Sequence, residues 1–190
     1  LEKVMRSAVL MGVALFCAAG GVVAEDWTGI RLGIGYGWAE VDIPQFAPTR
    51  PGTAEVTSVF AGYDRDLGRT VVGAELEWSG SDVRTEDLDF RVTEILRTKL
   101  RVGYDVGRVL PYAFLGLAAA DLRFIEGSPY SRDGFGPSLG FGVEVLVTPS
   151  LSVGAEVAMD RLNTGNFEYR DNWSNRFELQ TLSVRANWRF

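Results

Sequence analysis

A chain of 190 residues, 46% hydrophobic and 23% charged, suits one folded domain and fits neither a disordered tail nor a bundle of membrane helices. A net charge of −6 leaves no basic stripe to neutralise phosphates, which argues against nucleic acid as a partner. With no histidine, Ser-His-Asp hydrolysis, the usual zinc ligand sets and histidine general bases are all removed.

Residues 1–24 read as an export signal. Lys3 and Arg6 form a positive start, residues 8–21 (AVLMGVALFCAAGG) an apolar stretch, and Val22, Val23 and Ala24 a small-residue cleavage site before Glu25. A single anchoring helix is the alternative, but the run is short and broken by glycines. Met5 is an alternative start to Leu1. Cys17 lies inside this segment behind the bulky Phe16, which does not suit a lipidated cysteine, so the exported chain would hold no thiol. The expected barrel domain is then residues 25–190, and after residue 25 no apolar run reaches the length of a membrane helix.

The chain beyond the signal is a series of period-two segments. In residues 27–40 Ile30, Leu32, Ile34, Tyr36 and Trp38 share one face, with Arg31 and three glycines on the other. The glycines at 33, 35 and 37 are not a nucleotide loop, because they fall at every second position of a strand. Residues 41–54, with three prolines, read as a loop. A second strand covers 55–64 with Val59, Ala61 and Tyr63 outward, and 64–69 is a short turn. The third, 70–82, sets Val72, Ala74, Leu76 and Trp78 against Gly73, Glu75, Glu77 and Ser79, and an acidic loop occupies 81–89. In the fourth, 90–105, Leu96, Thr98, Leu100, Val102 and Tyr104 alternate with Arg97, Lys99, Arg101 and Gly103.

After a turn at 106–110, residues 111–124 are apolar on both faces, so their orientation stays open. A loop at 125–134 leads to a sixth strand, 135–147, with Leu139, Phe141, Val143, Val145 and Val147 against Gly140, Gly142 and Glu144. The turn at 148–150 gives a seventh, 151–160, with Leu151, Val153, Ala155, Val157 and Met159 against Gly154 and Glu156. A polar loop, 161–175, precedes the closing strand FELQTLSVRANWRF, whose apolar face runs Leu182, Val184, Ala186, Trp188, Phe190 opposite Arg185.

Eight strands joined alternately by long loops and short turns are the pattern of an all-β, antiparallel up-and-down barrel crossing an outer membrane, with short periplasmic turns and longer extracellular loops. Alternation alone would equally suit a soluble barrel with its apolar face inward. The choice rests on the apolar face, free of charge over about ten residues. Near its ends stand aromatics, Trp38, Tyr63, Trp78, Tyr104, Trp188 and Phe190, the arrangement of interfacial girdles. Trp188 and Phe190 should meet Trp27 at the periplasmic rim. The opposite face mixes charges with glycines, as a narrow lumen requires.

An eight-stranded barrel is wide enough only for side chains to fill it. Arg31, Glu75, Glu77, Arg97, Lys99, Arg101, Glu144, Glu156 and Arg185 are therefore expected to form a paired charge network in the lumen. Glu75 and Glu77 should face Arg97, Lys99 and Arg101, and Arg185 should answer Glu144 or Glu156. The alternative is that lumen water solvates these groups.

Several segments resemble the opacity-type outer-membrane β-barrel family of proteobacteria, relatives of the OmpA and OmpX barrels. They are DWTGIRLGIGYGWAE at 26–40, AGYD at 61–64, VVGAELEW at 71–78, LPYAFLGLA at 110–118, TPSLSVGAEVAMD at 148–160 and the final RANWRF. The resemblance implies a small barrel in outer-membrane lipid, inserted by assembly machinery that reads the terminal aromatic strand, here Phe190. It implies a role in envelope integrity or surface adhesion; the peptidoglycan-binding module that longer relatives carry after the barrel is not expected here. The surface ligand is left unidentified; no cofactor, metal or catalytic set is expected, the acids Glu86, Asp87 and Asp89 lacking calcium-loop spacing. Barrel enzymes acting on lipid resemble one another in using histidine. A small-solute pore is the alternative function.

Overall fold

The computed structural model describes residues 26–42, 52–85, 90–124, 131–164 and 176–190. Among them eight strands run in order: β1 (Gly29–Asp42), β2 (Gly52–Asp66), β3 (Thr70–Thr85), β4 (Phe90–Tyr104), β5 (Val109–Phe124), β6 (Ser131–Thr148), β7 (Leu151–Thr164) and β8 (Arg176–Arg189). Each pairs antiparallel with its neighbour in sequence, and β8 closes onto β1, so the sheet is a closed barrel without edges. Tracing paired residues around the wall from Ile30 through Tyr63, Ala74, Leu100, Leu115, Leu139, Met159 and Gln180 returns to β1 at Glu40, ten residues further on. That stagger tilts the strands, so residues level across the lumen are not those opposite in the sheet.

The turns are made by local chemistry. Asp66 and Asp105 each accept the N–H of the glycine two residues on, Gly68 at 2.7 Å and Gly107 at 2.6 Å, an aspartate-stabilised turn. Both glycines have positive φ, 101° and 74°, which other residues adopt only at a steric cost. At the other end the strands run further than the polar sequence suggests. β1 reaches Asp42, β2 begins at Gly52, β3 reaches Thr85, β6 begins at Ser131 and β7 reaches Thr164, each inside a stretch that reads as loop. Backbone pairing does not need an apolar face once it has left the membrane. Register shifts between Gly80 and Val83 and between Val92 and Glu94 carry β3 and β4 into this region. Proline is admitted too. Pro137 lies inside β6 opposite Leu117, and pairing between β6 and β7 skips from Phe135 to Ser138 around it.

Periodicity left the side of the apolar face undecided; the fold puts it outside. Ile30, Ile34, Leu100, Leu115 and Val184 are 54–66% exposed, whereas every charged residue expected in the lumen is at most 5% exposed. A continuous exposed apolar belt of this kind belongs against lipid, not water. The segment of open orientation, 111–124, resolves as β5 with Tyr112, Phe114, Ala118 and Ala120 inward and Leu115 and Leu117 outward.

The lumen is layered. Toward the short turns lies an apolar floor of Trp27, Val71, Leu110 and Leu146. Toward the long connections lies an apolar ceiling of Ala39, Val41, Val56, Ile95, Ala118, Ala120, Leu162, Phe177 and Leu179. The charges are held between the two.

Candidate functional site: the closed lumen

All nine lumen residues marked out in the sequence are buried, and three carboxylate-centred levels organise them. Nearest the floor, Arg101 forks Asp64, with Nε donating to Oδ1 at 2.8 Å and Nη2 to Oδ2, and its Nη1 donates to Glu144 Oε2 at 3.0 Å. Glu144 also accepts from Ser152 Oγ at 2.6 Å. Arg31 places Nε 2.6 Å from Asp64 Oδ2 and Nη2 3.1 Å from Glu75 Oε2. These are ion-pair contacts without hydrogen-bond alignment, and Arg31 makes no aligned bond.

At mid-height Lys99 matches its three N–H donors to three acceptors: Glu75 Oε1 at 3.2 Å, Glu77 Oε2 at 2.8 Å and Glu156 Oε1 at 2.5 Å. Arg185 crosses to Glu75 Oε1 at 2.6 Å and pairs with Glu156 Oε2, which also accepts from the Tyr112 hydroxyl at 2.8 Å. Nearest the ceiling, Arg97 holds Asp160 through Nε (3.2 and 3.0 Å) and Nη2 (2.7 Å). It also reaches Glu77 at 2.8 Å and Thr181 at 3.0 Å.

The strand neighbours Glu77 and Arg97 pair at 2.8 Å and Glu75 and Lys99 at 3.2 Å, as expected, whereas Arg101 departs from the expectation. Arg101 lies opposite Gly73 in the sheet, and the stagger aims it at Asp64 and Glu144 rather than Glu75 or Glu77. Arg185 takes Glu156 and Glu75, leaving Glu144 to Arg101 and Ser152. Asp64 and Asp160 escape a sequence reading that treats them as strand ends. Continuing the alternation one step (60, 62, 64 on β2; 156, 158, 160 on β7) puts both on the inner face. Tyr112 had no signal, since its strand is apolar on both sides.

The inner glycines have a role beyond being small. A Cβ at Gly33 would strike the Phe60 ring, at Gly140 the Phe114 ring and at Gly142 the Tyr112 ring. Those rings lie against the wall and carry the cations: Arg185 stands 3.7 Å above Phe60, Lys99 4.7 Å above Phe114 and Arg101 4.8 Å above Tyr112. Glycine, aromatic and cation form a sequence of layers from wall to axis.

Trp27 is the main departure at the floor. Instead of joining the rim aromatics it is fully buried inside the barrel mouth. Its indole N–H reaches Asp105 Oδ1 (3.2 Å) and the Gly107 carbonyl (3.1 Å), and its backbone N–H donates to Asp66 at 3.2 Å. Its carbonyl accepts from Arg189, whose guanidinium also stacks on the ring at 4.7 Å. The residue thereby ties two turns to the end of β8. Outside, Trp188 and Phe190 are 52% and 70% exposed, and the Phe190 N–H donates to the Ile30 carbonyl at 3.0 Å across the β1–β8 seam. Tyr63 and Tyr104 stand toward the same end and Trp38 and Trp78 toward the other, all close to half exposed. Residues 1–25, where the export signal is expected, and the acids Glu86, Asp87 and Asp89 lie outside the described residues.

An eight-stranded barrel with an apolar outer wall and a buried ionic interior is an outer-membrane β-barrel. Comparison with known proteins places it more closely. Residues 8–190 match the outer membrane protein beta-barrel domain, and the chain belongs to that family. It is 29% identical over 168 residues to a 22 kDa outer membrane protein of Rhizobium leguminosarum bv. viciae, covering 87% of this chain and 74% of that one. It is 25% identical over 171 residues to a 25 kDa outer-membrane immunogenic protein of Brucella ovis, covering 88% and 78%. Neisserial surface protein A shares the fold at a TM-score of 0.63 and 17% identity, covering 86% of this chain and 98% of that one. Ail, the attachment invasion locus protein of Yersinia pestis, does so at 0.61 and 15%, covering 86% and 99%. The protein is a small barrel of the outer membrane.

Proposed function

We propose that this barrel is a non-conducting envelope protein that works through its surfaces rather than its lumen. The observation that carries the reading is the filled interior: a charge network between an apolar floor and an apolar ceiling, with Lys99 and Arg185 buried at mid-height and Arg97 fully buried under the ceiling. Side chains occupy the path a solute would take. Contacts with other molecules then fall to the outer wall, which meets lipid, and to the extracellular connections. The immunogenic relative in Brucella ovis supports exposure at the cell surface.

On this reading the long connections around 41–54, 81–89, 125–134 and 161–175 present the adhesive or shielding surface to a ligand not yet identified. Their central residues lie outside the described ones. Residues 1–24 direct export, and the aromatic face of β8, ending in Trp188 and Phe190, is what the assembly machinery reads. No enzymatic role is proposed. The test is planar-bilayer conductance of the purified barrel. The expected trace is free of steady large openings; reproducible openings would replace this reading with the small-solute pore.

A further inference from the structure

The outer wall carries opposite charge at its two rims. Glu55 and Glu94 are exposed above the apolar belt, on the side of the long connections. Below the belt, at the short turns, Arg65 and Arg69 are exposed. Arg65 is one outward step beyond Tyr63 on β2, opposite Val72. Arg69 lies in the next turn, where its carbonyl accepts the Asp105 N–H at 2.9 Å and its Nη1 lies 3.4 Å from the Tyr104 hydroxyl.

The acids close by are engaged elsewhere. Asp66 accepts from the backbone N–H groups of Trp27 and Gly68, and Asp105 from the Trp27 indole and the Gly107 N–H. Trp27 thus holds two carboxylates at the barrel mouth, while the guanidinium groups remain on the lipid-facing side. Among the described residues Arg65 makes no ion pair, and the Arg69 side chain bonds the Tyr104 hydroxyl alone.

We propose that Arg65, Arg69 and Tyr104 form a binding site for the phosphate of an anionic glycerophospholipid in the inner leaflet. The short turns face the periplasm in a barrel of this class, so this rim meets inner-leaflet headgroups. A guanidinium presents paired N–H donors that match phosphate oxygens, and long arginine side chains at a membrane boundary turn their charge toward the headgroups. Tyr63, one outward step from Arg65 toward the belt, and Tyr104, beside Arg69, are half exposed and sit where amphipathic rings meet the interface. Acyl chains of the same lipid would lie along Val72 and Val102, the next outward residues on β3 and β4. Each arginine is worth about fivefold in preference for an anionic surface at moderate salt.

The experiment is spin-label electron paramagnetic resonance of the barrel in phosphatidylcholine bilayers. It compares association of labelled phosphatidylglycerol with that of labelled phosphatidylcholine. Wild type should favour phosphatidylglycerol several-fold at about 0.1 M salt and lose most of that preference at about 1 M. Arg65→Gln with Arg69→Gln should abolish it, and Arg65→Lys with Arg69→Lys should retain part of it. Glu55→Gln with Glu94→Gln, at the opposite rim, should leave it unchanged. Equal selectivity in wild type and the double glutamine variant overturns the proposal. So does a variant that keeps its lipid preference yet no longer sediments with peptidoglycan sacculi, since the arginines would then serve a cell-wall carboxylate.

Discussion

Replacing Arg97 by methionine tests whether the lumen ions are a paired network or a set of hydrated charges. Arg97 is fully buried and supplies every hydrogen bond that Asp160, 1% exposed, receives from a charged group among the described residues. Removing the guanidinium strands that carboxylate under the apolar ceiling. Glu77 is hurt less, because Lys99 still holds its other oxygen at 2.8 Å. Breaking a buried pair from one side costs about 3–5 kcal/mol, roughly two to four decades in the folding equilibrium. The assay is urea unfolding of the barrel in lipid vesicles, followed by tryptophan fluorescence and by heat-modifiable gel mobility.

The companion variant is Arg97→Met with Asp160→Leu. Removing both partners restores a neutral interior, and replacements of similar volume for buried ion pairs are often neutral in stability. Most of the single-variant loss should return, leaving about 1–2 kcal/mol for the donors and acceptors stranded at Glu77, Ser79 and Thr181. A single variant as stable as the parent would mean that water already solvates Asp160. A double variant no better than the single would mean that Arg97 acts by packing alone. Either result refutes the reasoning.

Trp27→Ala should lower stability by about 3–5 kcal/mol in the same assay, the usual cost of emptying a buried tryptophan site, while Trp27→Phe should recover most of the packing and lose the indole bonds to Asp105 and Gly107. Leu100→Arg, in the middle of the lipid-facing run of β4 and 63% exposed, should cost about 2–4 kcal/mol in vesicles, whereas the same arginine in place of Thr70, beside the rim, should cost about 1 kcal/mol or less. Deleting Phe190 removes its bond to Ile30 and the last outward aromatic of the seam. Outer-membrane assembly, monitored by fractionation, should fall sharply while synthesis and export continue; unchanged assembly would leave Phe190 as an ordinary interface residue.

Much of this architecture is local and was therefore readable. The two-residue period assigns Ile30, Leu32 and Ile34 to one face and Arg31 to the other whatever the strand pairs with, because successive side chains must alternate. Asp66 and Asp105, each two residues before a glycine, mark turns by chemistry confined to three residues. Where local pattern is absent, as in the doubly apolar β5, the inward set Tyr112 and Phe114 could not be told from the outward set.

The sequence by itself determined the number of strands, their order, the membrane-facing pattern and nine of the charges that share the inner surface, though not Asp64 and Asp160. The tertiary structure decided who pairs with whom. A stagger of ten residues around eight strands brings residues of distant strands to one level in the lumen, so Arg101 finds Asp64 and Glu144, and Arg97 finds Asp160 in addition to its strand neighbour Glu77. The same closure turns Trp27 into the barrel mouth, because only a completed ring brings Asp66, Asp105 and Arg189 within reach of one indole-bearing residue.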